Sequence, residues 1–176
     1  MYIIITIHLN HITENGWIQL KMEDGSMEKE NLEKKAFEYF YNGFCCSEAI
    51  SKTIIDYFAE NPEGYPVRVA SGFCGGIGRS HEDICGIFTG GVIAVGYLFG
   101  RMEQGKDLSI ACDVISEFRK TFIETFGSNN CAAILRSLGE QEKYIKCKQI
   151  TGKATGLLAD IIVKKYGLLK DSRSPL

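Results

Sequence analysis

Seven cysteines among 176 residues are the part of this chain most able to do chemistry. They are Cys45, Cys46, Cys74, Cys85, Cys112, Cys131 and Cys147. A thiolate attacks, oxidises or binds soft metals, and a helix N-terminus or nearby cations stabilise it. Three of the seven stand where helices are expected to begin. Cys46 precedes Ser47-Glu48, Cys85 follows the cap candidate Asp83, and Cys131 follows Ser128. Cys147 reads as lying inside a helix among Lys143, Lys146 and Lys148, whose charges favour thiolate if they face it. Adjacent Cα atoms are about 3.8 Å apart, below the usual disulfide span of about 4.4–6.8 Å, so a Cys45–Cys46 bond is set aside. Side chains of helical neighbours diverge by about 100°, so only one of this pair can serve an inward-facing site.

The spacing of the last two cysteines adds a constraint. Along one continuous helix Cys131 and Cys147 would be about 24 Å apart. Gly139 lies midway between them. If "SLGEQ" turns the chain back as an αα-hairpin, both sulfurs arrive level on adjacent helices, as two ligands of one centre require. No C-x-x-C pair suggests a zinc finger, and no clustered run suggests a bacterial ferredoxin. Dispersed helical cysteines can still converge on one metal centre, act as thiol–disulfide pairs, or fill the core.

The background composition is ordinary. A net charge of −2 gives no support for nucleic-acid or anionic-membrane binding. "MYIIITIHLN" lacks a basic region and a cleavage site, so the expected compartment is the cytoplasm, where a disulfide framework is disfavoured. No Ser-His-Asp grouping, phosphate loop or paired carboxylates stand out. "GFCGGIGR" looks like a dinucleotide fingerprint, but no strand precedes it and no βαβ unit surrounds it.

The elements that must position the cysteines read as helices from Ser26 onward, predicting an all-α bundle of five to seven helices over residues 27–176. "SMEKENLEKKAFEYFYNG" carries Leu32, Ala36, Phe37 and Phe40 on one stripe. "SEAISKTIIDYFAENPEG" turns Ile50, Ile54, Ile55 and Phe58 inward and breaks at Asn61-Pro62. "ICGIFTGGVIAVGYLFG" is apolar all round but shorter than the roughly 20 residues of a membrane span. Gly86, Gly90 and Ala94 give it a smooth ridge for a close neighbour, so it is read as the central buried helix. "DLSIACDVISEFRKTFIETFG" is amphipathic through Ile110, Val114, Ile115, Phe118 and Phe122. Residues 1–26 read as an appendage. Ile3, Ile5, Ile7 and Leu9 alternate with other residues, and Asn15-Gly16 suggests a β-hairpin turn. That hairpin must dock, fray, or pair with another copy in a homodimer; alternatively Met27 is the start and the segment is an extension. His8 and His11 are read as surface residues.

At "GFCCSEA", "GGIGR", "CGIFTGGVIAVG", "FGSNNCAAIL" and the cysteine of "IKCKQI", the chain resembles a family of redox-active proteins named for a C-GCAxxG-C-C pattern. The resemblance runs from about residue 36 to about residue 163. The family's four recurring cysteines map onto Cys46, Cys85, Cys131 and Cys147, so these four are the candidate cofactor and metal ligands. The position before the first is commonly Asn, which leaves Cys45 as an extra, packing residue. Ile87 stands where the CGAxxG element has alanine and is expected to widen the helix spacing. Cys74 replaces a loop glycine and is a spare thiol near the site, and Cys112 is assigned to the core.

The resemblance implies a redox role, and similar sequence occurs in a domain associated with iron–sulfur binding. The leading expectation is an electron-transfer protein whose four cysteines hold an iron–sulfur cluster, [2Fe–2S] above other types, with an unidentified electron donor or acceptor. Gly75, Gly76 and Gly78 would bring backbone amides to the sulfurs, Arg79 would offset negative charge, and His81 is read as a surface residue. Two other readings stay open: a metal-free thiol–disulfide oxidoreductase, and a structural helical module with core or zinc-bound cysteines.

Overall fold

The computed structural model describes the backbone of residues 25–171 and the side chains of residues 29–165. The expected N-terminal hairpin, with His8 and His11, lies outside the described residues. Six α-helices occur among them: α1 (Gly25–Tyr41), α2 (Cys46–Phe58), α3 (Gly86–Phe99), α4 (Ser109–Phe126), α5 (Cys131–Leu138) and α6 (Ile145–Asp171). Three short 3-10 turns join them, at Pro62–Gly64, Val67–Phe73 and Glu142–Tyr144. The all-α bundle read from periodicity is therefore present. No described helix is long and apolar enough to cross a membrane.

Helices α2 and α3 pack most intimately, and small residues are the reason. A Cβ on Gly90 would come 2.7 Å from Ser47 Cα and 2.6 Å from Ile50 Cγ2, and one on Gly86 would come 2.6 Å from Cys46 Sγ. All three separations are closer than side chains tolerate, so the ridge seats α2 directly on α3. Ile87 is 2 % exposed and lines the cavity described below, while Gly86 and Gly90 make the close approach. The expected widening at Ile87 therefore does not arise.

Helix α4 covers the other side of α3 through Phe118 and Phe122, which meet Phe88 at ring-centroid distances of 5.6 Å each. Such aromatic pairs contribute about 0.5–1.5 kcal/mol beyond the area they bury. Helix α1 lies along α2 and α6 and buries Leu32 and Ala36. Cys112 is exposed, not in the core. The inward stripe of α4 is Ala111, Val114, Phe118 and Phe122, and the next residue after Ala111 turns about 100° away from it.

Candidate functional site

The first turns of four helices converge on one cavity. Cys46 is the first residue of α2, Cys85 caps the N-terminus of α3, and Cys131 is the first residue of α5. Cys147 is the third residue of α6, so it too lies in a first turn and not in a helix interior as expected. All four sulfur-bearing side chains line a cavity of about 490 Å³, together with Cys45 and Cys74. Six of the seven cysteines thus meet at one place.

Local backbone bonding explains how distant segments reach it. The chain around Ile84 runs antiparallel to that around Asn130 in a single isolated bridge. The Cys85 N–H donates to the Asn129 carbonyl and the Cys131 N–H to the Asp83 carbonyl, both at 2.7 Å. Asn130 Oδ1 accepts from the Ala133 N–H at 3.0 Å and so caps α5, while its Nδ2 donates to the Glu82 carbonyl. Asn130 and Cys85 occupy the cap positions of α5 and α3, the latter in place of the sequence candidate Asp83.

Cys147 arrives by a different route from the predicted hairpin. Gly139 does turn the chain with φ +64°, but α6 starts only at Ile145, so no helical symmetry about Gly139 exists. Lys143 and Tyr144, both at positive φ, redirect the backbone between them. The Gln141 amide then fastens the start of α6: its Oε1 accepts from the Cys147 N–H at 3.0 Å and its Nε2 lies 3.5 Å from Cys147 Sγ.

The glycine-rich loop closes over the sulfurs. The Gly75 backbone lies near Cys46 Sγ and favours its thiolate, and a Cβ on Gly76 would come 2.8 Å from Cys131 Cβ. Gly76 also has φ +69°, so both its space and its conformation select glycine. The loop holds itself in place through the His81 N–H to the Gly75 carbonyl at 2.8 Å and the Arg79 N–H to the Cys74 carbonyl at 2.9 Å. His81 is half-buried at the cavity wall, its ring 5.9 Å from that of Tyr144, so it is not simply a surface residue. Arg79, Lys143 and Lys148 are the cations lining the cavity.

The expected lowering of thiol pKa by helix N-termini is overturned in the metal-free protein. Burial pushes Cys85 up to about 12, and the neighbouring Cys46 charge adds to it against the Ile87 and Phe88 N–H groups. Burial raises Cys131 to about 11, with Cys46 and Cys147 contributing. Cys46 and Cys147 are also raised, mainly by burial, and Cys46 affects the other three. Desolvation outweighs the amide dipoles because a lone thiolate is costly away from water.

Cys45 and Cys74 form a disulfide with Cα atoms 5.8 Å apart, which corrects the reading of Cys45 as packing and Cys74 as a spare thiol. Spacing gave no sign of the pair, because the turn at Val67–Phe73 that carries Cys74 onto α2 depends on tertiary packing. Among the described residues, the one trio of candidate metal-binding side chains with ligand atoms mutually within 4.8 Å is Cys45, Glu48 and Cys74. No three of the four helix-start sulfurs are that close. Tetrahedral zinc, with bonds of about 2.3 Å, would need them about 3.8 Å apart.

A family model described as "Putative redox-active protein (C_GCAxxG_C_C)" matches residues 44–161. No curated protein and no solved structure matches the chain significantly.

Proposed function

The chain belongs to the C_GCAxxG_C_C family of redox-active proteins, and we propose that within it Cys46, Cys85, Cys131 and Cys147 hold an iron–sulfur cluster for electron transfer. The observation that carries this reading is the convergence of four helix first turns, each bringing one cysteine, on a single cavity. The residues fit such a group. Four soft sulfur donors face one space, and the helix N-termini supply positive potential to a thiolate-bound anionic centre. Gly86 and Gly76 leave room where any side chain would collide with Cys46 or Cys131. Sulfurs too dispersed for one tetrahedral ion suit a polynuclear centre better than zinc.

When bound, such a cluster supplies one-electron transfer at a potential set by charge, hydrogen bonds and exposure. The chain's own contributions are separate from that chemistry. The Gly75 backbone favours the Cys46 thiolate, Gln141 orients Cys147, and apolar Ile87 and Ile134 restrict water. Arg79, Lys143 and Lys148 at the wall offset negative charge. Buried thiols with raised pKa values are weak nucleophiles near neutral pH, which disfavours metal-free exchange by these four.

Anaerobic purification followed by a visible spectrum and iron, sulfide and zinc analysis tests the proposal. Broad visible absorbance with matching iron and sulfide is expected. A protein that takes up zinc alone, or no metal after anaerobic reconstitution with iron and sulfide, would refute it.

A further inference from the structure

The two remaining cavity cysteines take no part in the four-thiol site. We propose that the Cys45–Cys74 disulfide is a second redox site, which cycles between disulfide and dithiol by exchange with an external dithiol. It stands apart from the four-cysteine reading and does not require it.

The surroundings of the pair are built for two oxidation states. Ser47, fully buried, places its hydroxyl oxygen 3.3 Å from Cys45 Sγ and 3.4 Å from Cys74 Sγ. That hydroxyl gives its own proton to the Ala70 carbonyl at 2.8 Å. A hydroxyl has one donor and two acceptor positions, so the oxygen presents acceptor capacity to both sulfurs. The disulfide has no proton to offer it, whereas either thiol of the reduced pair does. A Glu48 carboxylate oxygen lies within 4.8 Å of both sulfurs. The Glu48 carboxylate also accepts the Cys45 N–H at 2.8 Å and the Ser71 hydroxyl, which hold it in place. A cross-link serving only to hold two segments together needs neither group.

Access favours one sulfur. Cys45 is half-buried at the N-cap of α2, while Cys74 is 6 % exposed. In the reductive direction a thiolate of the dithiol attacks Cys45 Sγ. A reagent–Cys45 bond forms, the Cys45–Cys74 bond breaks, and its electron pair leaves with Cys74 Sγ, which takes up a proton from solvent. The reagent's second thiolate then attacks its own sulfur in the mixed disulfide and releases Cys45, which is protonated in turn. The reagent becomes a disulfide, and the pair gains two electrons and two protons.

The test equilibrates the full-length protein with mixtures of reduced and oxidised dithiothreitol, quenches with acid, alkylates under denaturing conditions, and reads the Cys45 and Cys74 peptides by mass spectrometry. Both are expected to become alkylated together in one two-electron transition of the native protein. A pair that stays closed in excess reductant until the protein unfolds, or that never closes in the oxidising mixtures, would overturn the proposal. With glutathione disulfide, the Cys74→Ser protein is expected to form a mixed disulfide at Cys45 at least tenfold faster than Cys45→Ser forms one at Cys74. Equal or reversed rates would overturn the order of attack. Cys85→Ser is expected to leave the dithiothreitol titration unchanged, and a protein that binds no metal yet titrates would refute only the cluster. Loss of metal from the Cys45→Ser/Cys74→Ser double variant would mean that the pair belongs to the four-thiol site, and the proposal would fall.

Discussion

Cys85 and Cys131 stand side by side because their own backbones are tied across the same bridge. The Cys85 N–H reaches the Asn129 carbonyl and the Cys131 N–H reaches the Asp83 carbonyl, each at 2.7 Å. Each cysteine then opens a helix, α3 or α5, so the bridge sets the separation of two first turns as well as two sulfurs. Asn130 secures the bridge from both sides through the cap of α5 and its bond to Glu82.

Replacing Asn130 by Ala removes that cap and the cross-link together. Loss of an Asn cap costs about 0.5–2 kcal/mol. Urea unfolding of Asn130→Ala is expected to show a loss in this range. Metal retained after anaerobic gel filtration is expected to fall as Cys131 loses its fixed place beside Cys85, and unchanged stability and metal content would contradict the role given to the bridge.

The cysteines separate by location. Cys85→Ser is expected to abolish stoichiometric iron and sulfide binding, since one of four ligands is lost from a buried wall. Cys112→Ser, on the exposed face of α4, is expected to leave metal content and spectrum unchanged and stability within about 0.5 kcal/mol. Equal metal loss in both variants would show that the cavity does not define the ligand set.

Two glycines of α3 make opposite predictions. Gly86→Ala drives a methyl to 2.6 Å from Cys46 Sγ and from the Phe73 carbonyl. Overpacking of that kind costs about 1–3 kcal/mol. A Cβ at Gly96 meets nothing within 4 Å, so Gly96→Ala is expected to stabilise the helix by about 0.5–1 kcal/mol. Denaturant midpoints of the two variants, compared at equal slope, check both signs.

The pH dependence follows from the raised thiols. In the reduced, metal-free protein Cys85 stays protonated until about 12 and Cys131 until about 11, whereas an unfolded thiol ionises near 9.0. Above pH 9 the unfolded chain therefore holds fewer protons than the folded one, and stability falls as pH rises. The contribution is fully present below pH 9 and is lost progressively up to about pH 12. Urea unfolding at pH 8 and pH 10.5 is expected to show the decline, and Cys85→Ala is expected to reduce it. Metal binding, which expels the same protons, is expected to tighten over that interval.

Much of this was legible in the chain itself. Helical periodicity identified α1 to α4, and the glycine ridge identified α3 as a buried helix open to a close neighbour, which the structure supplies as α2. The resemblance selected Cys46, Cys85, Cys131 and Cys147, and the structure places all four at one cavity. These features are local: a 3.6-residue repeat, a missing Cβ and a helix start are written in neighbouring residues. What only the tertiary structure decided depends on distant segments meeting. Cys45 found Cys74 because the turn at Val67–Phe73 folds back on α2, and no spacing encodes that contact. Cys147 moved from a helix interior to a first turn because positive-φ Lys143 and Tyr144 delay the start of α6. The thiols lost their expected acidity because the whole bundle excludes water from them, and burial is a property of the assembled fold that a helix N-terminus read in isolation does not reveal.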